Sequence, residues 1–287
     1  MNISSLTKMI LLSMIITWVG CHSGETKKAL TETVPEELKS VRVTDNIPYR
    51  SGHEKWVLDL AEPENFGEEI RPAIVLVHGG GWRFGSKQEP VFRSMLLYYA
   101  NLGYVTVSVD YRLADDAPFP ACIEDVKCAV RWLRAHAEEY RIDPERIGTY
   151  GHSAGAHLAV MLAVSSENKE LEGDGPWQEY SSRLTCAAGG ATPTEIGNPN
   201  NPWSEHPEWG PIGYISGGQP PILLLQGGAD PIVKAHLVED YYNKMKAAGA
   251  NIEYIVVSGQ GHDVSYSLAT DITQPAMDQF FAEYLKK

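Results

Sequence analysis

Residues 146–165 read RIGTYGHSAGAHLAVMLAVS: a β-rich run, the pentapeptide Gly151-His152-Ser153-Ala154-Gly155 and an apolar helix pattern follow one another without interruption. A Gly-x-Ser-x-Gly sequence between a strand and a helix is typical of a sharp turn that exposes the serine hydroxyl. Its glycines let neighbouring chain segments approach, and the start of the helix adds free N–H groups and a positive dipole potential. The stretch therefore predicts Ser153 as a nucleophile.

Outward from this turn, short β-rich runs alternate with helical stretches. Two of the runs, 73–77 and 221–225, are continuously apolar, which is typical of strands buried on both faces of a parallel sheet. The alternation predicts a doubly wound, mostly parallel α/β sheet, with an antiparallel edge hairpin formed by residues 41–44 and 55–60. The predicted strands are 55–60, 73–78, 104–109, 146–150, 184–188, 221–226 and 252–257, and the predicted helices are 123–140, 152–165, 234–248 and 271–285.

Length and charge limit the possible functions. The 287 residues suffice for one large α/β domain. With 24 basic and 37 acidic residues the formal net charge is −13, so the chain lacks the general basic field that attracts phosphate backbones. A nucleic-acid partner is therefore not expected.

A second motif, His78-Gly79-Gly80-Gly81-Trp82, follows the apolar run 73–77 directly. Three consecutive glycines permit backbone conformations that leave N–H groups unpaired and directed into a cleft. Alone, the motif would indicate only a tight turn. Beside a nucleophilic serine it predicts an oxyanion hole formed by the N–H groups of Gly80, Gly81 and Ala154.

A serine nucleophile requires a base, and the base requires an orienting acid. His262 and Asp230 each follow a predicted strand, at the edge where open α/β sheets build their sites. The order Ser153, Asp230, His262 is that of α/β-hydrolases. The competing histidines are weaker candidates: His136 lies in a charged helical stretch, His157 is expected to pack on the helix, and His152 is expected to point away from the nucleophile.

Together these motifs resemble the carboxylesterase branch of the α/β-hydrolase superfamily, which includes hormone-sensitive-lipase-like esterases and bacterial feruloyl and acetyl-xylan esterases. The resemblance covers about residues 41–287. It rests on His78-Gly-Gly-Gly-Trp, Asp110-Tyr-Arg-Leu, Trp132-Leu-Arg, Asp143-Pro-Glu-Arg, Gly151-His-Ser-Ala-Gly-Ala-His-Leu-Ala and the Asp230 and His262 loops.

The resemblance also implies two structural details. Asp110 and Arg112 occupy places in the pattern that imply a structural ion pair rather than a catalytic role. Gln226-Gly227 stands where many relatives have His-Gly. This departure is expected to alter the support of the acid loop rather than the triad.

The resemblance implies hydrolysis of carboxylic esters through an acyl-enzyme, with no metal and no organic cofactor. The expected substrate is a small-molecule or oligosaccharide ester, and export of the enzyme favours acetyl or feruloyl decorations of polysaccharides. Arylformamidase-like amide hydrolysis is the nearest enzymatic alternative, because relatives with a His-Gly-Gly-x-Trp loop hydrolyse formamides with the same triad. An inactive surface-binding module is the alternative from another class.

Residues 192–217 are dense in Pro, Gly, Asn and Trp and sustain no helical or strand period. They are predicted to form a long surface loop that serves as a short irregular lid, since loops of that length are usually lids or binding loops. Trp203 and Trp209 in this loop, with Trp82, are candidate substrate-binding residues, because flat aromatic faces stack on sugars or phenolic acyl groups. The alternative is that the rings only pack the lid.

The first forty residues predict export. A lone Lys8 precedes an eleven-residue, mostly apolar run at 9–19, which is too short to span a bilayer but suits a signal peptide over 1–20. The end of this run resembles a lipobox, so Cys21 is predicted to carry lipid, residues 21–40 to form a tether, and residues 41–287 to form the catalytic domain of a bacterial membrane-anchored lipoprotein. An ordinary cleaved signal and an uncleaved anchor remain alternatives.

Three cysteines lie beyond Cys21. Cys122 and Cys128 are six residues apart in one predicted helix, nearly on opposite faces, so a disulfide between them is not expected. With Cys186 they are predicted to be small buried hydrophobic residues.

Overall fold

A single eight-stranded sheet organises the described part of this computed structural model, which comprises residues 40–287 apart from 65–66, 68, 197–205, 207–208 and 266–270. The strand order is β1-β2-β4-β3-β5-β6-β7-β8, antiparallel for β1-β2-β4 and parallel for the rest. The predicted fold class and edge hairpin are thus confirmed. The strands are β1 (Val41–Pro48), β2 (Val57–Pro63), β3 (Arg71–Val77), β4 (Val105–Val109), β5 (Ile142–His152), β6 (Cys186–Gly190), β7 (Ile222–Gly227) and β8 (Ile252–Val257).

Helices cover both faces of this sheet. They are α1 (Pro90–Asn101), α2 (Ala121–Ala135), α3 (Ala154–Val164), α4 (Ala235–Ala247) and α5 (Thr273–Leu285). Side chains of α2, α3 and α4 pack in one buried cluster, and those of α1 and α5 pack in another. In β3, Val75 belongs to the first cluster, whereas Ile74 and Leu76 belong to the second. Alternation across a strand buried on both faces explains why its sequence is continuously apolar.

Helix α1 was not among the predicted elements. Pro90 stands at its start, where a missing N–H costs nothing. Phe92, Met95, Leu96 and Tyr99 are buried at the spacing of one helical face. The pattern was therefore present in the sequence, between the glycine loop (residues 78–82) and β4.

The boundaries of other elements differ from the predictions where the backbone turns. Helix α3 begins at Ala154 rather than at residue 152, because Ser153 has φ 54° and ψ −121° and cannot continue a helix. Helix α2 ends at Ala135 rather than at residue 140. The loop predicted at the surface over 192–217 contributes buried residues to the core, Ile196 and Pro211 among those described.

The predicted ion pair between Asp110 and Arg112 is wrong. Arg112 instead donates from Nε and Nη2 to the two carboxylate oxygens of Asp125 at 2.8 Å each, which attaches the segment after β4 to α2. Asp110 accepts the backbone N–H of Lys87 at 2.7 Å. The two side chains serve different partners because the chain leaves the sheet at Val109.

Several predictions concern other parts of the chain. Cys122, Cys128 and Cys186 are buried free thiols, as expected. The predicted signal peptide over 1–20, lipidation of Cys21, nearly all of the tether and Trp203 lie outside the described residues. Within the described ranges, no helix has the length and apolar character needed to cross a membrane.

Candidate active site

The turn at Ser153 joins the end of β5 to the start of α3. Its backbone lies in a region that residues other than glycine rarely adopt, and its N–H donates to the Gly190 carbonyl at 2.8 Å. A Cβ on Gly151 would lie 2.2 Å from the carbonyl oxygen of Gly155, and one on Gly155 would lie 2.1 Å from that of Val77. The glycines of the motif are therefore required by close backbone approach.

The side chains of Ser153, His262 and Asp230 form a continuous hydrogen-bonded series. His262 Nε2 lies 2.9 Å from Ser153 Oγ, and His262 Nδ1 lies 2.9 Å from Asp230 Oδ2. Because an ionised carboxylate only accepts, Nδ1 carries the hydrogen and the bare Nε2 accepts from the serine hydroxyl. The structure thus brings together the three residues that the sequence proposed, on loops after β5, β7 and β8.

Asp230 is held as a carboxylate. Burial raises its pKa, but hydrogen bonds from His262 and from the backbone N–H groups of Ile232 and Val233 outweigh burial, so the pKa is lowered. The two backbone donors bind Oδ1 at 2.8 and 3.0 Å. A charged acid is what orients the imidazole and stabilises its protonated form.

Gln226, at the end of β7, contacts the acid itself. Its Nε2 lies 3.2 Å from Asp230 Oδ2, 3.2 Å from the Gly227 carbonyl and 3.0 Å from the Val233 carbonyl. The expectation that this residue affects the loop rather than the triad is therefore wrong in part. It supports both, because the acid loop folds back over the end of its own strand.

His152 is a residue whose role the sequence did not reveal. Its Nε2 donates to the main-chain carbonyl of His262 at 2.8 Å. The two imidazoles meet edge to face at 5.1 Å. Burial lowers the pKa of His152 to about 4, so it holds the base loop as a neutral donor. Only the proximity of the two loops in space could have indicated this contact.

The glycine loop presents two main-chain N–H groups at the pocket. Gly80 and Gly81 have φ of 106° and 60° and line the pocket with Ser153. Among the described residues, the N–H groups of Gly80, Gly81 and Ala154 have no hydrogen-bond acceptor. Ala154 is the first residue of α3, where the helix itself leaves the N–H free.

Hydrogen bonds to two of its carbonyl groups fix the peptide planes of this loop. His78 Nδ1 donates to the Gly79 carbonyl at 2.8 Å, and the N–H groups of Arg83 and Phe84 donate to the Gly80 carbonyl at 3.1 and 3.0 Å. In a trans peptide the N–H points opposite to the carbonyl of the preceding residue. Anchoring these two carbonyls therefore orients the N–H groups of Gly80 and Gly81.

His78 is held in place by contacts with Tyr111. Its ring stacks on Tyr111 at 4.3 Å, and the Tyr111 hydroxyl donates to the His78 carbonyl at 2.8 Å. Burial lowers the pKa of His78 to about 4. The ring is therefore neutral at physiological pH and acts as a fixed donor to the loop.

A pocket of about 790 Å³ opens beside Ser153 and His262, within the usual range for small-molecule sites. Phe84 and Ile232 line it and are 71% and 61% exposed. The remaining walls combine apolar with charged side chains. They include Pro193, Val233, Leu237, Arg83, Glu89, Glu195, Lys234 and Asp263.

The candidate aromatic residues have different positions. Trp82 lines the pocket but is only 7% exposed, and its indole N–H donates to His157 Nδ1 at 3.3 Å. Trp209 is not among the pocket-lining residues described; its ring stacks on Phe119 at 4.6 Å and on His206 at 3.7 Å. The structure therefore places Trp209 in the packing of the loop rather than against the pocket.

Nowhere in the described ranges do three or more histidine, cysteine, aspartate or glutamate residues come together as metal ligands. At Ser153 the structure brings together a hydroxyl, an imidazole, a carboxylate and main-chain N–H groups.

Comparison with known proteins identifies the family. A model of the BD-FAE family matches residues 58–202, half of the chain. The chain belongs to the BD-FAE family. In the C-terminal part of the chain, a model of the prolyl oligopeptidase family matches residues 177–287.

Individual proteins that are similar to this BD-FAE chain are esterases. It is 26% identical to Esterase LipQ of Mycobacterium tuberculosis over 84% of its own length and 62% of LipQ. A truncated carbohydrate esterase from gut microbiota is 25% identical with a TM-score of 0.75, covering 88% of this chain and 99% of that one. Thermogutta terrifontis esterase 2 phosphorylated by paraoxon is 28% identical with a TM-score of 0.72, covering 88% and 98%.

These relatives confirm the resemblance to the carboxylesterase branch of the α/β-hydrolases. The chain spans about half to three-fifths of the length of the curated relatives it matches.

Proposed function

We propose that this chain hydrolyses carboxylic esters through a covalent acyl-enzyme on Ser153. The observation that carries the proposal is the hydrogen-bonded series from Ser153 Oγ through both nitrogens of His262 to Asp230, with both contacts at 2.9 Å. Its neighbours and relatives named esterases support the same activity.

Acylation uses each group in turn. Ser153 Oγ attacks the ester carbonyl carbon while its proton passes to His262 Nε2, and Asp230 stabilises the imidazolium that forms. The tetrahedral oxyanion accepts hydrogen bonds from the N–H groups of Gly80, Gly81 and Ala154. Each such donor is worth about 2.7–4 kcal/mol of transition-state stabilisation. The intermediate then collapses, the carbon–oxygen bond to the alcohol breaks, and His262 returns the proton to the leaving oxygen.

Deacylation repeats these steps with water. His262 removes a proton from a water molecule as its oxygen attacks the acyl carbon, the same N–H groups receive the oxyanion, and the acid leaves as Ser153 regains its proton. No other co-reactant is needed. The contacts that orient the imidazole, from Asp230 and His152, therefore act in both halves of the reaction.

We propose acetyl or feruloyl esters of polysaccharide-derived substrates as the substrate class. The structural neighbour from gut microbiota is a carbohydrate esterase. The pocket beside Ser153 is about 790 Å³, with room for far more than an acetyl group. The exposed faces of Phe84 and Ile232 offer an apolar surface for an aromatic acyl group, and the charged wall residues offer partners for sugar hydroxyls.

Two measurements on the full chain test these proposals. Paraoxon should add a single phosphoryl group to the wild-type protein and none to Ser153→Ala; an unlabelled wild type would favour an inactive binding module. A panel of acetyl, feruloyl and formamide substrates should show ester turnover. Faster turnover of the formamide would replace the esterase assignment with an arylformamidase.

We propose that residues 1–20 direct export and that Cys21 becomes the lipid-bearing N-terminus, which anchors the enzyme to a bacterial membrane. The apolar run, Gly20 and Cys21 support this proposal. Cys21→Ser should move the enzyme out of the membrane fraction or leave an unprocessed precursor, with unchanged turnover. An unmodified mature N-terminus at or beyond residue 22, found by mass spectrometry of the membrane-bound protein, would contradict lipidation.

A further inference from the structure

The buried amide of Gln226 is unusual for its setting. The residue lies on β7 in register with Val256 of β8 and is fully buried. Its Nε2 faces three acceptors, whereas its Oε1 has no partner among the described residues. A buried acceptor without a partner destabilises a fold. Packing stability alone therefore does not account for a glutamine here.

The contacts fix which way the amide points. With the amide reversed, Oε1 would face the Gly227 and Val233 carbonyls and Asp230 Oδ2, three acceptors that offer it no hydrogen. Nε2 must therefore face them, and one of its two hydrogens is available for the carboxylate. Gln226 is in this way a donor directed at Asp230.

The carboxylate oxygen that receives this donor is the one bound by the base. Asp230 Oδ1 is occupied by the N–H groups of Ile232 and Val233. Oδ2 accepts from His262 Nδ1 at 2.9 Å and faces Gln226 Nε2 at 3.2 Å. With four donors, the carboxylate has no free position in which to rotate. A second donor on Oδ2 also draws charge away from the bond to His262.

We propose that Gln226 is a positioning residue for the acid: it locks Asp230 Oδ2 in place for His262 and limits how strongly the carboxylate stabilises the imidazolium. This inference rests on the proposed roles of Ser153, Asp230 and His262.

Among the residues that the structure describes, few other groups act on the pair formed by Asp230 and His262. His152, from the end of β5, faces His262 as a neutral ring. The hydroxyl of Ser153 is uncharged until it reacts. Asp263 adjoins the base, and Lys234, at the start of α4, lines the same pocket. These residues stay in place in a Gln226 variant, so a change in the pH profile reports on the amide.

Gln226→Met in the full chain removes the donor while keeping the length of the side chain. We expect kcat for an activated ester to fall by about tenfold, which corresponds to about 1.4 kcal/mol, with KM little changed. The acid limb of the kcat profile should move upward by about half a pH unit, since a carboxylate with fewer donors favours the protonated imidazole.

Gln274→Met is the matched control. Gln274 is also buried, also donates to a carboxylate, Asp278 Oδ1 at 2.7 Å, and also has an unpartnered Oε1, but it belongs to α5. It should lower the melting temperature without moving the pH profile. An unchanged kcat and acid limb in a folded Gln226→Met protein would overturn the proposal.

If Gln226→Met does not fold, Gln226→Glu tests the same contact. Its protonated carboxyl can donate to Asp230, whereas its ionised form repels it. Its kcat should therefore fall as pH rises through a range where the wild type is constant, and a wild-type profile would overturn the proposal. Ser153→Ala distinguishes a failure of the proposed mechanism from a failure of the role proposed for Gln226. If Ser153→Ala remains active, the proposed mechanism fails. If it is inactive, only the role of Gln226 is in question.

Discussion

At the scale of single residues, Ser153 and His262 are expected to act as one unit, because each contact in the series depends on the next. Ser153→Ala or His262→Ala should abolish nearly all turnover in a protein that still folds. The double variant should be no worse than either single one. The measurement is kcat/KM for the three variants; losses that add in the double variant would contradict a joint role.

At this scale, the sequence predicted which side chains lie together where the chemistry demands a particular residue and order. Ser153, Asp230 and His262 follow strands whose carboxyl ends meet at one edge of the sheet, so the structure brings them together. The contacts of His152 and Gln226 could not be predicted, because each depends on where a neighbouring loop folds back. The pairing of Asp110 and Arg112 failed for the same reason: Asp125, on a separate helix, supplies a better-placed carboxylate.

At the scale of the elements, two glycines of the glycine loop differ in how much space a side chain would have. A Cβ on Gly80 would lie 2.1 Å from the Phe84 carbonyl oxygen, which belongs to the loop backbone, whereas one on Gly81 would meet nothing within 4 Å. Gly80→Ala should therefore displace the loop and lower kcat by about 10²–10³-fold, the loss expected for one oxyanion donor. Gly81→Ala should cost about tenfold or less.

Gly249→Ala serves as the control for this pair. Gly249 also has a positive φ, 84°, with open space around its Cβ position, and it follows α4. It should lower stability slightly without changing kcat. Equal kcat for Gly80→Ala and wild type, with only KM raised, would assign the loop to substrate contact.

The elements themselves were largely readable from the sequence. Strands β3 and β7 were found because their runs 73–77 and 221–225 are continuously apolar, as expected of strands buried on both faces. Helix α1 was missed although its apolar spacing was present. The position of Trp209 could not be predicted, since its ring stacks on Phe119, which is distant in the sequence.

At the scale of the whole molecule, three buried histidines in the described part of the chain are expected to make the fold sensitive to acid. Burial lowers the pKa of His78, His152 and His157 to about 4, whereas an unfolded histidine has a pKa of about 6.5. Between these values the unfolded chain binds protons that the folded chain does not. The free energy of unfolding should therefore fall as pH drops from 6.5 towards 4, by up to about 1.4 kcal/mol per pH unit for each histidine.

Urea unfolding of the wild type and of His157→Gln at several pH values isolates one such group. The carboxylates contribute equally to both proteins, so the difference between the two curves reports His157 alone. His157→Gln should be less stable at pH 7.5 but lose stability less steeply on acidification. Parallel curves would contradict this expectation, because they would mean that His157 binds its proton over the same pH range in the folded and unfolded chains.

The backbone of Ser153, at φ 54° and ψ −121°, has a consequence beyond the reaction. A side chain held in such a conformation costs on the order of 1–3 kcal/mol, and the surrounding fold supplies that energy whether or not substrate is present. Glycine would relax the turn, so Ser153→Gly should melt at a higher temperature than Ser153→Ala. A lineage that kept the fold but no longer needed the reaction should accordingly drift towards glycine at this turn, and the residue found there would record whether selection still acts on hydrolysis.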